Sequence, residues 1–567
     1  MPTQLDKDID RITRAVTEPG QMFELTEVTR RGVTMPAFKN APPSVAHYFA
    51  HFCNEKKDEL FIVDGEMRLT FGEVWGAASH VAHSLATEHG IAKGDRVGIA
   101  ARNSANWIIA YMGILMAGGC ATLLNGWWTG EELAYGIDLC ECKLVLADAQ
   151  RAERLDGVKH GAKVVVFGHG VPAEGLAPIW AAGNTAMAML GQLGPDDLAT
   201  ILYTSGSTGH PKGAYSDHLG VVSGTMNYVC QTAMMLQLLT ENDAAPTVQP
   251  SALVAVPLFH VTGEVPLMLQ SFAMGRKLVL MPKWDATNAL ELLEKEQITY
   301  FVGVPLMSYE IAVHPEREKY DLSQCKTFAG GGAARPIEHV KKIKDAFKDG
   351  FPALGYGLTE TNGVGAGNLN ENYLAKPNST GMPSRPLVDM AILDDDGKPL
   401  EQGKIGEVSI RSVCNFLGYW KNENATKAAY SDDAYFRTGD LGYLDEDNYL
   451  FIVDRKKDII IRGGENISCQ EVEAAIYEHP DVNECAVFGL PDERLGEVVG
   501  AVIWVKPGST VDDGAMCSFL SQRLAPYKVP YKIWMSNAAL PKLGSEKIDK
   551  VSLRNQYRAQ FATEVAA

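Results

Sequence analysis

The residues with the clearest chemical potential lie in one stretch, Ile201 to Ala214, reading ILYTSGSTGHPKGA. Its glycines, its Ser and Thr hydroxyls and one lysine make a donor-rich loop of the kind that cradles phosphate oxygens. The loop is not the Walker A pattern G-x-x-x-x-G-K-[ST]. Counted from Gly206, Pro211 stands where the second glycine belongs, and Gly213 follows Lys212 where Ser or Thr should hold magnesium. Proline has no N–H to give an anion and fixes its own φ. Phosphate binding here calls for another design. The apolar run 198–203 reads as a strand that leads the loop into a strand-to-helix turn.

The rest of the chain bounds what that loop can serve. At 567 residues, two or more domains are expected. A hydrophobic fraction of 46% and a charged fraction of 22% are those of a soluble globular protein. The net charge of −18 argues against nucleic acid, which needs cationic patches. A polyanionic ligand must then be held by backbone N–H groups, a few placed cations and Mg²⁺. Of ten cysteines only Cys140 and Cys142 are close, which is not zinc-site spacing, so free thiols in a reducing cytosol are expected. The N-terminus, MPTQLDKDIDRITRAVTEPG, has no apolar signal core. Residues 107–128 carry no charge for 22 positions, long enough to span a bilayer. Gly118-Gly119 splits them into a helix-length and a strand-length piece, however. A buried helix followed by a buried strand, in a cytoplasmic protein without a transmembrane segment, is the expectation.

Elements that must position the loop follow in alternation. Strand-like runs at 97–102, 142–148, 162–168, 253–259 and 276–281 are separated by helix-length stretches such as 284–298 and 335–347. That pattern predicts an α/β fold: parallel-rich sheets covered by helices. Near Asp454–Asp458 the composition shifts. Before it, FRTGDLGYLDEDNYLFIVD reads as short antiparallel strands around a turn, a small β-barrel-like part. After it, a helix, two strands and a second helix form a small mobile α+β domain. The expected division is 1–456 and 457–567.

YTSGSTGHPKG closely resembles the signature loop of the adenylate-forming superfamily, which includes acyl-CoA synthetases, peptide-synthetase adenylation domains and luciferases. Further segments resemble its motifs in order: PLFHVTG (257–263), GGGAARP (330–336), GYGLTET (355–361), FRTGDLG (436–442), VDRKKDIIIRGGENIS (453–468) and LPKLGSEKIDK (540–550). The resemblance spans roughly residues 45–555. It implies that ATP, Mg²⁺ and coenzyme A are used. Thr204, Ser205, Gly206, Ser207, Thr208, Gly209 and Lys212 would hold phosphate. Ala333, Gly355, Tyr356, Gly357 and Thr359 would line the adenine and α-phosphate side. Glu360, with Thr204, would hold Mg²⁺, a hard cation suited to oxygen ligands. Asp440 would accept both ribose hydroxyls, and Arg455 would contact ribose or phosphate. Lys547 would be the catalytic cation bridging carboxylate and α-phosphate, with Lys542 and Lys550 flanking it. The family usually has glycine where Glu546 stands.

His260 would stand between acyl pocket and nucleotide, gating the pantetheine channel. Lys457 matches the hinge about which the small domain turns. Arg462, Gly463, Gly464 and Glu465 would form the face that meets CoA. Met226, Tyr228, Val261, Met307, Gly330, Gly331, Gly355 and Val364 are the acyl-pocket walls inferred from motif neighbourhoods. They are apolar or small, with no Arg, Lys or Asp among them, which favours a hydrophobic acid, medium- or long-chain fatty or bulky cyclic. Aryl-acid–CoA ligation and the loading of a carrier protein are the alternatives within this chemistry. A phosphate-loop NTPase predicts ADP as product, and a membrane or interaction protein would be built around 107–128. The partners expected are small molecules, with no nucleic acid and a homodimer as the self-association allowed for.

Overall fold

A computed structural model of the chain describes residues 3–183, 190–204, 211–333, 335–347, 349–463, 465–543 and 547–566. The chain divides into two compact units. The first comprises 1–335, 341–390 and 410–436; the second comprises 336–340, 391–409 and 437–567. Along the chain, the last crossing from the first unit to the second falls at 436/437.

Two large sheets organise the first unit among its described residues. One runs in the order Gly418–Tyr419, Lys212–Asp217, Leu198–Thr204, Cys120–Leu123, Arg96–Ala100, Leu144–Ala147 and Lys163–Val166. Its last five strands are parallel, and the first two are antiparallel additions at one edge. In the other, the strands Phe351–Tyr356, Thr327–Gly331, Tyr300–Gly303, Ser251–Val254, Lys277–Leu280 and Leu60–Asp64 are parallel neighbours in that order. Such strands are buried on both faces, which is why they read as continuous apolar runs rather than alternating ones.

The charge-free segment resolves as the helix Ala105–Met116, buried throughout, and the buried strand Cys120–Leu123. Gly118 turns between them at a φ of +82°, a conformation that costs glycine little. Among the described residues no helix is long and apolar enough to cross a membrane. All ten cysteines are free thiols, nine of them buried. The expected parallel-rich α/β architecture is what forms.

The second unit holds most of a four-stranded sheet, Asp389–Leu393, Gly406–Arg411, Phe436–Leu444 and Leu450–Arg455. Its last two strands form the antiparallel pair expected around Asp445–Asn448. A further sheet, built on the long antiparallel pair Val482–Asp492 and Gly496–Val505, packs the helices Cys469–Tyr477 and Asp513–Ser521 over a core of Ile476, Val487, Ile503 and Leu520.

Candidate active site

The glycine- and hydroxyl-rich loop joins two antiparallel strands, not a strand and a helix. Leu198–Thr204 and Lys212–Asp217 pair so that Thr204 and Lys212 stand opposite each other. The helix begins one strand later, at His218, where the Asp217 side chain accepts from the Gly220 N–H. KGAYSD becomes a strand because it has partners on both sides, Leu198–Thr204 and the distant Gly418–Tyr419. Ser205, Gly206, Ser207, Thr208 and Gly209 lie outside the described residues.

The acidic motif packs against this hairpin. Gly357 must be glycine, since a Cβ there would lie 1.9 Å from the Gly363 carbonyl oxygen. That close approach closes a single 3₁₀ turn, Thr359–Thr361, stapled by the Thr361 hydroxyl accepting from the Leu358 N–H at 3.1 Å. Glu360 is held at both ends and is 8% exposed. Its carbonyl accepts from the Phe416 N–H at 2.8 Å, and its Oε1 accepts from the Tyr419 hydroxyl at 2.8 Å. The Lys212 ammonium sits 4.9 Å from the centre of the same Tyr419 ring. Thr204, Lys212, Thr359 and Glu360 are thus drawn together by the edge of one sheet. Gly331 and Gly355 are paired neighbours in the other sheet, and a Cβ on Gly355 would meet nothing within 4 Å. Tyr356 follows directly, and Ala333 is exposed just beyond Gly332.

The expected acyl-pocket walls do not all share a face. Strand alternation puts Ala329 and Ala353 in one core with Met226 and Val364, and Val261 packs against that core. Gly331 and Gly355, two residues on, face the same way. Phe301, Phe328 and Met307 belong to a second core on the other face of the sheet. Gly330 faces that side too, where a Cβ would lie 2.4 Å from the Arg335 guanidinium. The missing side chain at Gly330 makes room for Arg335, which donates to the Ser308 hydroxyl at 3.1 Å. Met307 and Gly330 thus lie on the opposite face of that sheet from Gly331 and Gly355. Tyr228 donates to the Gly363 carbonyl, whose glycine is bordered by Val261 and Pro266. His260 caps the short helix Val261–Gly263, and its ring lies 4.8 Å from that of Phe259. Four residues on, the fully buried Glu264 accepts from the Tyr111 hydroxyl at 2.7 Å, and burial pushes its carboxyl up to about 7.

In the second unit Asp440 and Arg455 are cross-strand partners, with Arg455 Nε 2.8 Å from Asp440 Oδ1. Lys547 lies near both. Burial, and then the Arg455 charge, lower its ammonium to about 8, with Asp440 opposing. The segment carrying it is closed by two backbone bonds, Leu543 N–H to Lys547 carbonyl at 2.7 Å and Asp549 N–H to Pro541 carbonyl at 2.8 Å. Its flanking lysines are occupied. Lys542 pairs with the buried Glu484 at 3.0 Å, and Lys550 pairs with Glu473 at 2.6 Å. The neighbouring Glu546 lies outside the described residues, as does Gly464. Lys457 occupies the turn after Leu450–Arg455, closed by the Asp458 N–H on the Arg455 carbonyl at 2.9 Å. Arg462 and Glu465 are opposed across a tight hairpin, with Gly463 at φ +61°.

Four residues escaped the sequence reading: Tyr419, Glu473, Glu484 and Glu264. Each acts through a partner 56 to 153 positions away. Such pairing leaves no local trace.

The chain matches the AMP-binding enzyme family over residues 49–420 and the AMP-binding enzyme C-terminal domain over 471–547, and it belongs to that family. It is 33% identical to a long-chain-fatty-acid–CoA ligase of Bacillus subtilis over 514 residues, covering 85% of this chain and 89% of that protein. It is also 33% identical to a feruloyl-CoA synthase of Amycolatopsis, covering 87% of this chain and 95% of that protein. Among solved structures it is similar to ATP-bound MatB from Rhodopseudomonas palustris, with a TM-score of 0.77, 28% identity, and coverage of 90% and 99% of the two chains.

Proposed function

We propose that this enzyme activates a hydrophobic carboxylic acid with ATP and passes the acyl group to coenzyme A. In the first step a carboxylate oxygen attacks the α-phosphorus, and the bond to the β-phosphate breaks, releasing pyrophosphate. In the second the CoA thiolate attacks the acyl carbon, the C–O bond to AMP breaks, and AMP leaves. Both steps bring anions together, so catalysis is positioning and charge neutralisation. Lys212 and the 205–209 donors hold phosphate, and Thr359 contacts the α-phosphate. Tyr356 and Ala333 flank adenine with Gly355 and Gly357. Asp440 accepts both ribose hydroxyls, and Arg455 contacts ribose or phosphate. Lys547 bridges carboxylate and α-phosphate.

The Glu360 carboxylate and the Thr204 hydroxyl are the oxygen donors that would suit Mg²⁺, Thr204 at the end of a hairpin strand and Glu360 on the turn packed against that hairpin. The ion, when bound, neutralises phosphate charge. The small domain, 457–567 against 1–456, turns about Lys457. Its second orientation presents Arg462, Gly463, Gly464 and Glu465 to pantetheine, with His260 gating the channel.

The observation that supports this reading best is the selection among the lysines of the terminal motif. Two are paired with carboxylates, while burial and the Arg455 and Asp440 charges act on Lys547. Of the expected walls, Met226, Tyr228, Val261, Gly331, Gly355 and Val364 favour a fatty or bulky cyclic acid. Ferulate-type aryl acids are the second reading, favoured by the open space at Gly355 and by the Amycolatopsis relative. The test is a panel of long-chain fatty acids and ferulate with ATP, Mg²⁺ and CoA, scored for thioester. Fatty acids should be turned over faster. Thioester from ferulate alone would select the second reading, and acid-dependent AMP without CoA dependence would point to a carrier-protein acceptor.

A further inference from the structure

Tyr419 stands between the two charged groups that the proposed adenylation step places on phosphate and metal. Its hydroxyl donates to Glu360 Oε1 at 2.8 Å, and the Lys212 ammonium lies 4.9 Å from its ring centre. The backbone holds it there. Tyr419 pairs with Ala214 on the edge strand, and the Trp420 N–H donates to the Gly213 carbonyl at 2.7 Å, one residue from Lys212. The Tyr419 N–H donates to the Thr426 hydroxyl at 2.9 Å, and its ring packs edge-on against Phe416 at 5.0 Å. Phe416 in turn donates its N–H to the Glu360 carbonyl. Gly418 admits this arrangement, because a Cβ there would meet the Thr426 methyl at 2.6 Å.

We propose that Tyr419 is a positioning residue for acyl-adenylate formation. Through one rigid side chain it sets the orientation of the Glu360 carboxylate and the place of the Lys212 ammonium, so that Mg²⁺ and the ATP phosphates arrive in register. A hydrogen bond to a charged acceptor is worth more than a neutral one, and a cation over a tyrosine face adds a smaller, separable part. The inference rests on the adenylation reading, and the two roles of the side chain separate by substitution.

The experiment compares wild type, Y419F and Y419L in acid-dependent ATP–pyrophosphate exchange across a Mg²⁺ titration. Thioester formation from supplied acyl-adenylate is measured alongside. Y419F keeps the ring and loses the hydroxyl. It should need more Mg²⁺ for half-maximal exchange and exchange roughly ten-fold more slowly, while the second step stays within about two-fold. Y419L also removes the ring face and should raise the KM for ATP further. Exchange and Mg²⁺ dependence unchanged in Y419F would overturn the proposal, as would an equal loss in both steps, the mark of a purely structural role. If wild type itself shows no acid-dependent exchange, the adenylation reading fails and this inference with it.

Discussion

Lys547 carries the sharpest consequences at the scale of single residues. Lys542 and Lys550 are held by Glu484 and Glu473, so their work is to anchor the segment on which Lys547 sits. Lys547→Ala should lower adenylate formation at least a hundred-fold while sparing thioester formation from supplied acyl-adenylate. Lys542→Ala should act on stability more than on chemistry, because it takes the cation from the buried Glu484 carboxylate while Lys542 itself is exposed. Half-reaction assays with thermal unfolding separate the two, and equal chemical losses for both variants would remove Lys547 from its role. The sign of its pH dependence follows from the depressed ammonium. The charged form is present below about 8 and is lost above it, so the adenylation rate should fall on an alkaline limb near that value. The thioester step should lack that limb, and a limb shared by both steps would contradict the assignment.

The loop hairpin and the helical segment after His260 show what an element adds to its residues. The sequence marks Lys212 and Thr204 as candidate phosphate-side groups, yet the segment between them and the helix was not legible as a strand. Its status depends on Gly418–Tyr419, about 200 positions away in the chain. Alternation at Phe328 to Gly331 was equally present in the sequence, but which face met which helix was not, so Gly330 and Met307 were grouped with residues across the sheet. Glu264 gives an element-scale test. Its carboxyl is raised to about 7 in the fold by burial, against an unfolded value near 4.5. The folded state binds the extra proton, so the stability from this group is complete below 4.5 and lost as pH rises through about 7. Removing the ionisable group with Glu264→Gln, which keeps an acceptor for Tyr111, should stabilise the protein at pH 8 by about 3 kcal/mol. The gap should close by pH 4.5. A gap that is the same at both pH values in thermal unfolding would refute this account.

For the whole molecule, the order of motifs along the chain was enough to predict the family, because chemistry that gathers distant groups onto one nucleotide leaves a marked residue in each contributing segment. The supports of those residues carry no such mark. Tyr419 and Glu484 were invisible until the strands were paired. One site serving two steps also needs a moving domain. Lys457 occupies the turn after the strand Leu450–Arg455, where a proline would restrict φ. Lys457→Pro should leave pyrophosphate exchange within a few-fold of wild type and cut overall thioester formation by more than ten-fold. Parallel loss of both activities would place the pivot elsewhere.

The central claim is that a carboxylate oxygen attacks the α-phosphorus of ATP. The most direct measurement supplies a fatty acid carrying ¹⁸O in both carboxylate positions, with ATP, Mg²⁺ and CoA, and reads the products by mass spectrometry. One labelled oxygen should appear in AMP, one should remain in the thioester carbonyl, and pyrophosphate should carry none. Label in orthophosphate with ADP as the nucleotide product, or AMP formed without label, would contradict it.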